Sequence, residues 1–325
     1  FQYNAAEQSP KITGVTLDNW DETRITYVIK SGDKATDVSD RITLTIEGTG
    51  NYTGKATVEW KITPREVTPT IEVASCTYTG DALEPTVTVK DDIGNIIDQK
   101  EYEIFYSNNT NAGIATVTIK DVEGGNYVLS GASKTFEITK AAAPTMQPIE
   151  LTVINGLAKT YLVNLPALPT LGDNCKYGSI KYEACNFDLI GEGGYANSTA
   201  MITSNDEFQL TVPAVESQTE GSVGTVGVKI TTDNYQDMLL TVEVIAKNKI
   251  VPVLDGEITA TPITFGQILR VSTITGTMKD DGKTVEGTFE WTNPSTKPDK
   301  GGDYQAEWTF TPAEGYEEYA TATGT

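Results

Sequence analysis

Two stretches of this chain restate each other at a fixed spacing, and that repetition restricts the fold more than any other feature. Tyr3-Asn4 with Pro10 is echoed by Tyr78-Thr79 with Pro85, and Gly50-Asn51-Tyr52 by Gly125-Asn126-Tyr127, each 75 residues on. Thr43-Leu44-Thr45-Ile46 matches Thr116-Val117-Thr118-Ile119 at an offset of 73, and Trp60-Lys61-Ile62-Thr63 matches Phe136-Glu137-Ile138-Thr139. Landmarks in one register, with slips confined to turns, indicate two tandem copies of one module. Both copies alternate apolar residues with Thr or charge at period two, as in Arg41–Ile46, Pro85–Lys90 and Ala115–Lys120. The same alternation recurs at Phe208–Val212, Val226–Ile230 and Leu239–Val244, while no long window carries a helical stripe. Half-buried strands require that period, so the chain reads as all-β.

The length of 325 residues accommodates two to four domains, each able to bury a core. Pro64-Arg65-Glu66-Val67 joins the first copy to the second, and Lys140-Ala141-Ala142-Ala143-Pro144 leads out of the second. The expected organisation is a repeat at 1–64, a second at 65–140, a divergent β-sandwich-like segment at 141–249 and a related repeat at 250–325. The third lacks the Gly-Asn-Tyr turn but carries Asp233-Asn234-Tyr235 before an alternating strand. The fourth ends shortly after Tyr319, where a closing strand is expected, and reads as an incomplete copy.

Charge and composition exclude whole classes of function. With 45 acidic against 24 basic side chains the net charge is -21, which repels nucleic-acid phosphates and anionic lipid heads. The chain contains no histidine, which removes Ser-His-Asp and Cys-His nucleophile activation and every His-containing metal site. No apolar run approaches the roughly 20 residues of a membrane span. Paired carboxylates hydrolyse glycosides without histidine, but nothing marks one pair among so many acids. The chain is therefore read as non-enzymatic, without cofactor, and as a monomer.

Glu101-Tyr102-Glu103-Ile104-Phe105-Tyr106-Ser107-Asn108-Asn109-Thr110-Asn111-Ala112-Gly113 closely resembles tandem repeats of large surface proteins of Gram-positive bacteria, which are immunoglobulin-like and β-grasp-like modules. The pattern continues through Ala115–Ile119, Gly125-Asn126-Tyr127 and Phe136–Thr139. The first copy departs from it at Ser31–Thr36, and the fourth resembles it from Phe265-Gly266-Gln267 through Gly287–Trp291 to Phe310-Thr311-Pro312 and Tyr319. The resemblance implies small β-sandwich or β-grasp-like modules strung end to end as an elongated rod, in a secreted or wall-attached setting. It implies spacer or adhesive units and supplies no catalytic motif. No Leu-Pro-x-Thr-Gly sorting signal is present, so signal and anchor are expected elsewhere in a longer protein.

Against that background the chemistry-bearing residues are few. Asp91-Asp92 and Asp280-Asp281 are candidate calcium ligands, yet neither cluster has the spaced D-x-[DN]-x-[DN]-G loop and both read as hairpin turns. Cys175 and Cys185 either close a disulfide or, with Cys76, pack as reduced thiols. Trp20, in Asp18-Asn19-Trp20-Asp21-Glu22, is the aromatic candidate for glycan contact, whereas Trp60 and Trp308 lie in alternating strands. The amides of Asn108–Gly113 suit either a ligand or a turn, and the turn suffices to explain them. The leading expectation is a structural stalk. The alternatives are an adhesin binding a host glycan or extracellular protein through 141–249, and ancillary modules of a secreted glycan-active enzyme.

Overall fold

Thr and Val at period two favour a pleated, half-buried surface, and strands form nearly throughout. The computed structural model describes residues 1–16, 25–190, 194–216 and 219–325 and holds 26 strands, three 3-10 turns and no α-helix among them. In the first repeat Tyr27–Ser31 (β1), Ser39–Gly48 (β2) and Lys55–Ile62 (β3) form an antiparallel meander. Gln2 bridges in parallel to Thr63, just beyond β3.

The second repeat comprises Arg65–Val67 (β4), Thr70–Val73 (β5), Cys76–Thr77 (β6), Val87–Lys90 (β7), Tyr102–Ser107 (β8), Gly113–Asp121 (β9), Tyr127–Leu129 (β10) and Ser133–Thr139 (β11). Its main sheet runs β6-β11-β9-β8, with β6 parallel to β11 and the other pairs antiparallel. The first repeat has the same order, Gln2 standing where β6 stands. Tyr3 N donates to Thr63 O and Tyr78 N to Thr139 O, both at 2.9 Å. Repetition in the sequence is thus repetition of sheet topology. On the central strand β9, Ala115, Val117 and Ile119 point inward and are buried, while Thr118 between them and Lys120 after them are exposed. Val117 and Ile119 meet Val67, Ile71, Val89, Tyr102, Tyr127 and Leu129 from five further strands in one core cluster, and Ala115 joins Tyr78, Phe136 and Ile138 in another.

Beyond 141 the strands are Ile149–Ile154 (β12), Lys159–Asn164 (β13), Ile180–Leu189 (β14), Thr199–Ile202 (β15), Glu207–Val212 (β16), Gly221–Thr232 (β17) and Met238–Lys247 (β18). They form a sheet of order β12-β18-β17-β14 and a second of order β13-β16-β15. Alternate residues of both are withdrawn from solvent, as Phe208, Leu210 and Val212 on β16 and Leu240, Val242 and Val244 on β18 are. The last strands are Val253–Leu254 (β19), Thr259–Ala260 (β20), Ile274–Thr275 (β21), Met278–Asp280 (β22), Lys283–Val285 (β23), Gly287–Trp291 (β24), Trp308–Pro312 (β25) and Ala322–Gly324 (β26). Phe310, Trp308, Met278, Val285, Tyr319 and Ala322 form their core. After Tyr319, β26 pairs antiparallel with β25.

Two units group these elements in space. Unit 1 holds Phe1–Ala142 together with Leu171–Gly178 and Asp233–Gln236; unit 2 holds Ala143–Thr170, Ser179–Thr232 and Asp237–Thr325. No helix among the described residues is long and apolar enough to cross a membrane.

Candidate functional site

An asparagine-tyrosine pair recurs in unit 1 in one structural role. Gly125 and Gly124 turn the chain after β9, leaving Asn126 just ahead of β10 and Tyr127 as its first residue, and Arg65 N at the start of β4 donates to Asn126 O at 3.0 Å. Ala141 N donates in the same way to Asn234 O at 2.9 Å, and Gln236 N returns a bond to Ala141 O. Each opening residue of a segment is therefore held in parallel register by a later Asn-Tyr turn.

The asparagine side chains face the preceding repeat. Asn126 is buried; its Oδ1 accepts from Val38 N at 2.8 Å and its Nδ2 donates to Asp37 Oδ1 at 3.1 Å. Asn234, only 1% exposed, repeats this on the second copy: Oδ1 accepts from Ala112 N at 2.9 Å and Nδ2 donates to Asn111 Oδ1 at 3.3 Å. Asp37-Val38 and Asn111-Ala112 are 74 residues apart and occupy equivalent positions ahead of β2 and β9. One clamp has been built twice. A tyrosine pair accompanies each: Tyr3 meets Tyr127 edge to face at 5.2 Å, and Tyr78, its counterpart 75 residues on, meets Tyr235 at 5.7 Å. Edge-to-face pairs add about 0.5–1.5 kcal/mol beyond their buried area.

The clamps differ in what completes them. Buried Glu101 takes Asn126 N at 2.7 Å and Asn126 Nδ2 at 2.8 Å, so a carboxylate receives two amide donors. At Asn234 backbone carbonyls serve instead: Tyr177 O accepts Asn234 N and Lys176 O accepts Nδ2 at 3.0 Å. The 171–178 loop lies close against the second repeat, with Lys176 N donating to Tyr78 Oη at 2.8 Å and Asn174 Nδ2 to Asp81 Oδ1 at 2.9 Å. Gly80 permits this approach; its φ is +93°, and a Cβ there would lie 2.9 Å from the Asn174 backbone. In unit 2 the backbone half of the pattern recurs among the described residues: Ile250 N donates to Glu318 O and Ala320 N to Ile250 O, with Glu318 in the place of the asparagine.

Burial raises the phenol pKa of Tyr3, Tyr127 and Tyr177, and pushes Tyr235 up to about 12, helped there by the Cys175 thiol and by Tyr78 and Tyr177. An unfolded tyrosine ionises near pH ~10, so between pH ~10 and the folded value the unfolded chain alone loses the proton. The stability these phenols supply is complete below pH ~10 and is lost as pH rises through the folded pKa. Urea midpoints for unit 1 are expected to fall between pH 8 and pH 11, and to fall less in Tyr235→Phe, which has no proton to lose there.

The sequence-predicted candidates are placed as follows. Asp91 is buried within a turn after β7: its Oδ1 accepts from Ile93 N and Asn95 N, and its Oδ2 from Arg65 Nη1 at 3.2 Å. Burial works to raise its pKa, but the Asn95 and Ile93 donors and the Arg65 guanidinium hold it below the ordinary carboxylate range. Asp92 pairs with the other arm of Arg65. Asp281 and Gly282 both have positive φ and close a two-residue hairpin between Asp280 and Lys283, the geometry of a type I′ turn. Asp280 Oδ2 accepts from Tyr319 Oη at 3.2 Å. No group of three or more His, Cys, Asp or Glu side chains able to hold a metal is present among the described residues.

All three cysteines are free. The structure does not join Cys175 to Cys185: the Cys175 thiol donates to Thr79 O at 3.1 Å, and Cys185 lies on β14 opposite Gly227 of β17. Trp20 lies outside the described residues. Trp308 is buried as its strand pattern requires, and Trp60 is half-buried with Nε1 donating to Gly32 O at 2.8 Å. Within Asn108–Gly113, Asn109 bonds Leu83, and Asn111 and Ala112 bond Asn234.

The fold and clamps define a class: an all-β chain of repeated sheets whose consecutive copies are pinned by buried side-chain amides. No protein-family model matches the chain, and no curated protein does. Among solved structures it is similar to protocadherin gamma B2 extracellular cadherin domains 3–6, at 14% identity and a TM-score of 0.26 over 99% of this chain and 95% of that one. It is similar also to Drosophila N-cadherin EC1-3, at 11% identity and a TM-score of 0.24 over 75% and 94%, and to the human desmocollin-1 ectodomain, at 11% and 0.22 over 99% and 76%.

Proposed function

We propose that this chain is a non-enzymatic spacer of an extracellular bacterial surface protein, its four segments (1–64, 65–140, 141–249 and 250–325) joined end to end to project a functional tip from the cell wall. The observation that carries this reading is the twice-built asparagine clamp. Flexible linkage needs no buried side-chain bonds between neighbouring repeats, whereas a strut needs its joints fixed. Each clamp bonds a backbone N–H and a side-chain oxygen of the preceding repeat through a buried amide, and breaking it leaves buried polar groups unpaired at about 1–3 kcal/mol each. Bending at a clamp is opposed by that cost. The bacterial, wall-attached setting rests on the resemblance of 101–139 to Gram-positive surface repeats.

Small-angle scattering on the whole chain tests the spacer. Modules about 30 Å long, at roughly 3.3 Å per strand residue, would total ~120 Å. The radius of gyration is then expected above ~30 Å, against about 20 Å for a compact chain of this length. The compact value would contradict the spacer.

A further inference from the structure

The last segment carries an aromatic-lined groove that a strut does not require. Its cavity, of about 350 Å³, lies between two loops of unit 2, the stretch after β20 and the long connection from β24 to β25. Phe265, Gln267, Trp291, Lys300, Asp303 and Tyr304 are among the residues lining it. That volume falls in the range of small-ligand sites, roughly 300–1,000 Å³.

Fixed elements present these groups. Phe265 sits in a turn closed by Gln267 N donating to Thr264 O at 2.9 Å, and the Gln267 carboxamide oxygen locks it by accepting from Thr264 N at 2.7 Å. Gly266, at φ +93°, supplies the conformation this turn needs at its third position. Trp291 is held by its indole N–H, which donates to Ser272 O at 3.1 Å. The two loops are tied together by Leu269 N to Thr296 O and Arg270 N to Pro294 O. Yet Phe265 remains 69% exposed and Tyr304 43% exposed. These rings do nothing for the core by being exposed, and it is their grouping with Trp291 at one groove, not any single exposed ring, that marks a binding surface.

We propose that this groove binds a neutral saccharide. Pyranose rings present an apolar C–H face and a rim of hydroxyls. The rings of Phe265, Tyr304 and Trp291 offer flat apolar surface for the first. The Gln267 amide donors, the Tyr304 hydroxyl, the Asp303 carboxylate and the Lys300 ammonium supply the donors and acceptors that hydroxyls need. One carboxylate and one ammonium leave the lining without net charge, which favours an uncharged ligand over uronic, sulfated or phosphorylated ones. An apolar peptide would leave these polar groups unpaired on burial.

The test is an array of neutral and anionic glycans and of apolar peptides, probed with the full chain and with Phe265→Ala and Tyr304→Ala. Both rings are exposed, so neither change removes core. Retention of neutral glycans, weakened about tenfold or more in each variant, is the expected result; a tenfold loss corresponds to about 1.4 kcal/mol of binding. Heteronuclear NMR of the full chain with the retained sugar should move the Trp291 indole signal. No neutral glycan retained, retention confined to anionic glycans or peptides, or affinity unchanged in both variants would overturn the proposal.

Discussion

Asn126→Asp should destabilise unit 1 by about 3–5 kcal/mol at neutral pH, the range for an uncompensated buried charge. The two side chains have nearly the same shape, so packing is kept while chemistry is reversed. The Asn126 Nδ2 donor, now 2.8 Å from Glu101 Oε1 and 3.1 Å from Asp37 Oδ1, becomes an oxygen facing two carboxylates. Like charges at that distance raise the pKa of at least one of the group. The loss should therefore shrink on acidification as a proton is shared among them, which separates it from an ordinary packing defect. Asn234→Ala should cost about 1–3 kcal/mol without that pH dependence, because it orphans the neutral Ala112 N–H, while the Lys176 carbonyl keeps its bond from the Tyr78 hydroxyl. Denaturant unfolding at pH 5 and pH 7 reads both effects.

Phe310→Ala should be comparably severe in unit 2, at about 3–5 kcal/mol for truncating a buried phenylalanine. Phe310 is 1% exposed, lies 4.9 Å from the Phe289 ring, and packs against Gly287, where any Cβ would collide with the Phe310 ring. Only glycine at 287 admits this ring, so neighbouring atoms cannot readily collapse into the cavity that alanine leaves. Loss of fluorescence from nearby Trp308 on denaturation should shift to lower urea.

Much of the architecture was legible because it is local. Ala115, Val117 and Ile119 alternate with polar neighbours, and that alone places β9 and its buried face. Asp281-Gly282 between strand-like runs gave the hairpin, since few other dipeptides tolerate two positive φ values. The clamps were legible only as landmarks. Gly125-Asn126-Tyr127 stood out as a repeat, but its partner Val38 lies 88 residues away and is engaged through a backbone N–H, which leaves no side-chain signature. Asn234 was further hidden because Asp233 stands where the other copies have glycine, and its partner Ala112 is 122 residues distant. The Asn234-Tyr235 pair ahead of an alternating strand was visible as a landmark, but nothing in it points to the partner across that distance. Asp91-Asp92 was readable as a turn, whereas its neutralisation by Arg65 depends on a contact 26 residues back. The groove at Phe265 depends on two loops meeting, and no periodicity encodes that.

Hydrogen exchange at the Val38 and Ala112 amides tests the clamps most directly, because these are the N–H groups that the Asn126 and Asn234 side chains accept. Native-state exchange followed by NMR should find both protected to the level of core strand amides such as Val117, with protection lost at Val38 in Asn126→Ala and at Ala112 in Asn234→Ala. Exchange of both amides at the rate of an unprotected chain in the unmodified protein would contradict fixed joints between the repeats.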